Sequence, residues 1–139
     1  MNVLEKQAWF TLAVIALALM GYGIIWMTTK SSIVAFSSFG LCGLLGCAGL
    51  IGRKEKRAGR VAIDERDAEI ERKGTLVAYA VYWLLFVAIL MTPFFVLGSD
   101  ARITISTAAL SQAVMAAFML IMAVRSLVIV FLYKSGRHA

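Results

Sequence analysis

Residues 53–74 read RKEKRAGRVAIDERDAEIERKG, the long polar stretch of a 139-residue chain, and a strongly apolar half lies on either side of it. Whichever side of a membrane holds this stretch sets the direction of every other segment. Hydrophobic residues make up 61% of the chain and charged residues 16%, with a mean hydropathy of +0.85. A soluble domain carries charge at about a quarter of its positions. The composition is that of an integral membrane protein.

On the N-terminal side, residues 7–27 form an apolar run long enough to cross a hydrocarbon core of roughly 30 Å at about 1.5 Å per residue. The run is too long and its end, Gly23-Ile24-Ile25-Trp26-Met27, too bulky for a signal-peptide cleavage site, so it is expected to be retained. Trp9 and Trp26 stand near its ends, where indole rings favour the membrane interface. After a short turn, a second α-helical span is expected over residues 33–51. Glycine recurs there at every third position, as Gly40, Gly43, Gly46, Gly49 and Gly52. On an α-helix a period of three drifts by about 60° per step, so these glycines are expected to form a slowly winding stripe and not one straight face. Close helix packing, within the bundle or between protomers, is the expected use of the stripe, because small residues let backbones approach in lipid. A lipid groove or pore lining is the alternative. Cys42 and Cys47, five apart on this helix, cannot reach each other in disulfide geometry and are read as small buried hydrophobes.

On the C-terminal side, spans are expected over residues 75–97 and 104–132. The apolar run Ile103–Tyr133 would make a helix of about 46 Å, longer than the hydrocarbon core, so it must tilt, bend or protrude. The polar stretch carries eight basic residues, and with Lys6, Lys134 and Arg137 one side of the chain holds eleven against Lys30 and Arg102 on the other. The positive-inside rule then puts both termini and residues 53–74 in the cytoplasm. The expectation is one all-α domain: a four-helix membrane bundle of two antiparallel hairpins, its third and fourth helices extending into the cytoplasm.

Charge changes sign along the polar stretch. Arg53, Lys54, Lys56, Arg57 and Arg60 form a basic cluster suited to anionic lipid headgroups. Asp64 to Glu71 holds five of the eight acids. Asp64 has the chemistry of a helix N-cap, Asp67 three residues later makes a weak capping box, and Glu69 and Lys73 are spaced for an i,i+4 pair. A metal or catalytic reading of these carboxylates lacks a nearby histidine and a calcium-loop glycine, and Arg66, Arg72 and Lys73 already supply countercharge. No nucleophile and base pair, zinc spacing or phosphate loop stands elsewhere, so no enzyme activity or cofactor is expected.

Arg125 sits inside the last apolar run, where a charge costs on the order of 3 kcal/mol at mid-membrane. In an antiparallel hairpin turning near residue 100, Arg125 lies level with residue 75. An ion pair with Glu71 or Asp67 is expected, with snorkelling to headgroup phosphate as the alternative. Gln112 is expected to hydrogen-bond another helix.

The stretches EKQAWFTLAVIAL, DERDAEIERKGTLVAYAVYW and RSLVIVFLYKSGR resemble small bacterial four-helix inner-membrane proteins of unknown function that carry an Asp-Glu-Arg-Asp motif in the central loop. The resemblance implies four spans and a cytoplasmic motif at Asp64, Glu65, Arg66 and Asp67; some relatives resemble neighbours of helix-turn-helix regulators, which implies regulation. The expected function is a non-catalytic membrane module, either a homo-oligomeric scaffold or a small accessory subunit of another membrane protein acting through its cytoplasmic loop. A small oligomeric transporter or channel is the alternative. Membrane lipid is an expected partner and nucleic acid is not, since the net charge of +6 follows from the topology.

Overall fold

The computed structural model describes residues 2–51, 64–98 and 102–135. These residues form helices and, among the described residues, no strand: α1 (Val3–Thr29), α2 (Ser32–Phe36) continuing as a 3-10 helix over Ser37–Leu50, α3 (Glu65–Leu97) and α4 (Thr107–Ser135). Three of them, α1, α3 and α4, are long and apolar enough to cross a membrane.

Each boundary has a local cause. α1 closes at Lys30, whose left-handed backbone (φ 54°) lets its N–H reach the Trp26 carbonyl at 2.9 Å. α3 starts at Asp64, whose carboxylate accepts the Asp67 N–H at 2.7 Å. It runs past Pro93 and ends at Gly98, where a φ of 86° favours a residue without a side chain. α4 begins at Thr107, later than the apolar run does. Residues 102–106 are not helical, and the Ser106 hydroxyl accepts the Ala109 N–H at 3.2 Å. Ile103, Thr104 and Ile105 are β-branched and poor helix formers, so the cap at Ser106 wins.

The second apolar segment departs from expectation. Only five residues are α-helical before the chain tightens into 14 residues of 3-10 helix. At three residues per turn, side chains at i and i+3 eclipse, and the glycine period matches the helix period. Gly40, Gly43 and Gly46 therefore stack in one straight row and not in a winding stripe. A second row, Phe39, Cys42 and Leu45, is buried, and a third, Leu41, Leu44 and Leu50, is exposed. A rise of about 2.0 Å per residue makes the 3-10 part about 28 Å long, so tightening lengthens the segment.

α1 and α4 are the central pair. The 3-10 segment packs mainly on α1, and α3 mainly on α4. One apolar cluster joins Val14, Ile15 and Ala18 of α1 to Phe39, Cys42 and Leu45 and to Met119 of α4. The Tyr22 ring stacks on Phe39 with centroids 5.3 Å apart. A second cluster joins Leu4 and Ala8 to Ile70 of α3 and to Ile129, Val130 and Tyr133 of α4. The tightest approach is at Gly74, where a Cβ would stand 3.0 Å from Ile129 Cγ1 and 3.2 Å from the Arg125 carbonyl oxygen. Beyond Ala78 α3 buries nothing: Trp83, Phe86, Phe94 and Phe95 are all exposed.

Candidate functional site

Polar side chains converge where α1 begins, α3 begins and α4 ends. Asp67 is the most enclosed of the α3 acids, 3% exposed. Its Oδ1 accepts hydrogen bonds from the Tyr133 hydroxyl of α4 and from Asn2 Nδ2, the latter at 3.3 Å. One carboxylate thus links the start of the chain, α3 and α4. The expected capping box is half formed: Asp64 caps Asp67, but the Asp67 side chain turns into the bundle because a buried carboxylate needs its own donors.

One turn further along α3, Arg125 Nη2 donates to Glu71 Oε1. The two side chains are 29% and 39% exposed, so the pair sits at the edge of the packed interior. The Thr75 hydroxyl donates to the Glu71 carbonyl at 2.9 Å. Outside the spans, Lys73 and Glu69 pair at 2.7 Å, and the hydrogen bond and charge of Lys73 hold the Glu69 carboxyl below its usual range. Glu65 and Arg66 of the Asp-Glu-Arg-Asp motif face outward.

Among the acids from Asp64 to Glu71, four are engaged by partners within the chain: Asp64 by the Asp67 amide, Asp67 by Tyr133 and Asn2, Glu69 by Lys73, Glu71 by Arg125. This arrangement neutralises charge and locks helices in register. Glu5, 3% exposed in the first turn of α1, is a further buried acid at this end. Neither Tyr133 nor Asn2 was singled out from the sequence. The register that sets Arg125 level with residue 75 also sets Tyr133 level with Asp67, so the signal was present for Tyr133.

Tyr133→Phe removes the hydroxyl donor from a buried carboxylate and is expected to cost about 1 to 3 kcal/mol. Thermal unfolding in detergent micelles checks this, and an unchanged midpoint contradicts it.

The glycine row lies elsewhere. A Cβ at Gly40, Gly43 or Gly46 would meet nothing within 4 Å, so these glycines make no close packing contact within the chain. The reason is the 3-10 period, which turns the whole row away from α1 while Phe39, Cys42 and Leu45 take the packed side. Gly40 and Gly43 border an open apolar groove of about 530 Å³, whose other wall includes Val114, Met115 and Phe118 of α4. Cys42 is buried but Cys47 is exposed, because five residues of 3-10 helix bring them onto different rows. Gln112 Nε2 donates to the Ser32 carbonyl at 3.4 Å, tying α4 to the start of α2. Gly52 and the basic cluster Arg53, Lys54, Lys56, Arg57 and Arg60 lie outside the described residues, as does the side of the row at Gly49.

Among the described residues the fold is all-helical, with three helices apolar enough to cross a membrane. No family model, curated protein or solved structure matches the chain.

Proposed function

We propose that the chain is a non-catalytic multi-pass membrane module that works as an assembly of identical copies. It crosses the membrane four times, with both termini and residues 53–74 in the cytoplasm of a bacterial inner membrane. The lysine and arginine bias supports that orientation. The 3-10 segment with α2 has a length of about 35 Å, enough for a fourth crossing of a core of roughly 30 Å. The likeness of the Asp64–Asp67 motif to that of four-helix inner-membrane proteins supports the same topology.

The observation that carries the reading is the outward glycine row. In lipid, small residues on a helix surface gain nothing from the acyl chains, whereas a second helix set against them gains close van der Waals contact. A Cβ at Gly40, Gly43 or Gly46 would meet open space, and beyond Ala78 no residue of α3 is buried. Unlike patches on opposite edges of one protomer suit head-to-tail contacts that close into a ring. Gly43→Leu and Gly46→Leu are expected to dissolve the assembly while leaving each protomer folded, since a Cβ at either position meets nothing within 4 Å in its own chain. Chemical cross-linking in native membranes, with circular dichroism of the purified variants, tests this. Wild-type cross-linked species in both variants would remove the proposal.

A further inference from the structure

Trp9 of α1 and Lys134 of α4 meet across the seam between the two central helices, at the same end as Asp67. Lys134 Nζ stands 5.5 Å from the centre of the Trp9 ring, and Trp9 is 42% exposed. Resting on an indole face holds an ammonium in place and leaves its charge and N–H donors available. Of the other cations at this end, Arg125 and Lys73 are each answered by a carboxylate. Among the described residues Lys134 pairs with no carboxylate, and the Trp9 indole N–H meets no acceptor. Two adjacent donors, one of them charged, thus stand open at the edge of an apolar surface.

The surface below them is shaped like the rest of a lipid. From Lys134 back along α4, Phe131 and Leu127 recur on one face and are among the exposed large hydrophobics. From Trp9 onward along α1, Ala13 and Leu17 recur at steps of four and both are exposed. Because α1 and α4 run in opposite directions at this seam, both rows lead from the Trp9–Lys134 pair toward the membrane interior. We propose that this seam binds an anionic phospholipid, its phosphate on the Lys134 ammonium and the Trp9 N–H, its acyl chains along Phe131–Leu127 and Ala13–Leu17. The charge complementarity selects an anionic headgroup over a zwitterionic one, whose own cation would face the ammonium. The site belongs to one protomer and does not depend on assembly.

Trp9 is its own reporter. In the background Trp26→Phe/Trp83→Phe, both at exposed positions, Trp9 is the remaining indole. The protein is reconstituted into phosphatidylcholine vesicles holding a minor share of phosphatidylglycerol, and bromine-labelled chains are carried by one lipid or the other. Quenching by brominated phosphatidylglycerol is expected to show about fivefold enrichment at Trp9 over its bulk share. Lys134→Gln is expected to return quenching to the bulk share, and Lys134→Arg to keep the enrichment. Quenching that follows bulk composition in the parent protein, or enrichment that survives Lys134→Gln, would overturn the proposal.

Discussion

Gly74→Leu is expected to separate α3 from α4 and to give the largest loss of stability of any single substitution in the chain. Even an alanine methyl at this position would stand 3.0 Å from Ile129 Cγ1 and 3.2 Å from the Arg125 backbone oxygen. Ile129 is 2% exposed and has no room to turn away, and a backbone carbonyl cannot yield without shifting α4. Overpacking a filled site costs about 1 to 3 kcal/mol for added methylenes, and leucine adds four carbons at a contact already closed. The displaced register would also pull Arg125 from Glu71 and Tyr133 from Asp67. Gly23→Leu supplies the control, because a Cβ there meets nothing within 4 Å and the position lies outside the glycine row. Unfolding in mixed detergent micelles should show a collapse of the Gly74→Leu midpoint and little change for Gly23→Leu. Equal midpoints would mean that α3 and α4 do not meet at Gly74.

Glu71→Gln is expected to cost about 2 kcal/mol, and Arg125→Met less, although the second removes the larger side chain. The asymmetry follows from what each leaves behind. Without Glu71, a guanidinium remains unpaired among apolar residues near the end of the span, at a cost below the ~3 kcal/mol of a mid-membrane charge because it is partly exposed. Without Arg125, Glu71 stays at the first exposed turn beyond the span, where water reaches it. Partial exposure of both side chains reduces either figure relative to a fully enclosed pair. The double variant Glu71→Gln/Arg125→Met is expected to recover most of the loss, with a coupling of about 1 to 2 kcal/mol in a double-mutant cycle. Additive losses in that cycle would show the two side chains to be independent.

How far the sequence revealed this molecule differs by segment. The helices α1, α3 and α4 were readable because about 20 apolar residues in a row admit little else in lipid. Arg125 and Glu71 were readable as neighbours because an unpaired charge demands a partner and helix register limits the choices. Tyr133 is harder to read, because its hydroxyl acquires a role only once Asp67 is known to point inward. The 3-10 segment was misread as α-helix because propensity does not separate the two forms. The threefold glycine period is visible in the sequence, but its meaning depends on the residues per turn, which are three here and not 3.6. The packed faces were hidden for a different reason: α1 is apolar all round, so no amphipathic stripe separates the side facing protein from the side facing lipid. The packed side of α1 carries Ala8 and Ala18 together with Leu4, Val14 and Ile15, while Ala13 and Ala16 are exposed, so residue size does not mark that side either.

The central claim is that identical copies assemble through the surface carrying the glycine row. Its most direct test is the mass of the particle released from nanodiscs into the mass spectrometer without prior denaturation, where protein copies, bound lipid and any co-purifying protein are weighed together. A single closed homo-oligomeric mass for the wild type, falling to the protomer for Gly43→Leu, is the predicted result. A wild-type protomer, or one copy held by a different protein, would contradict it.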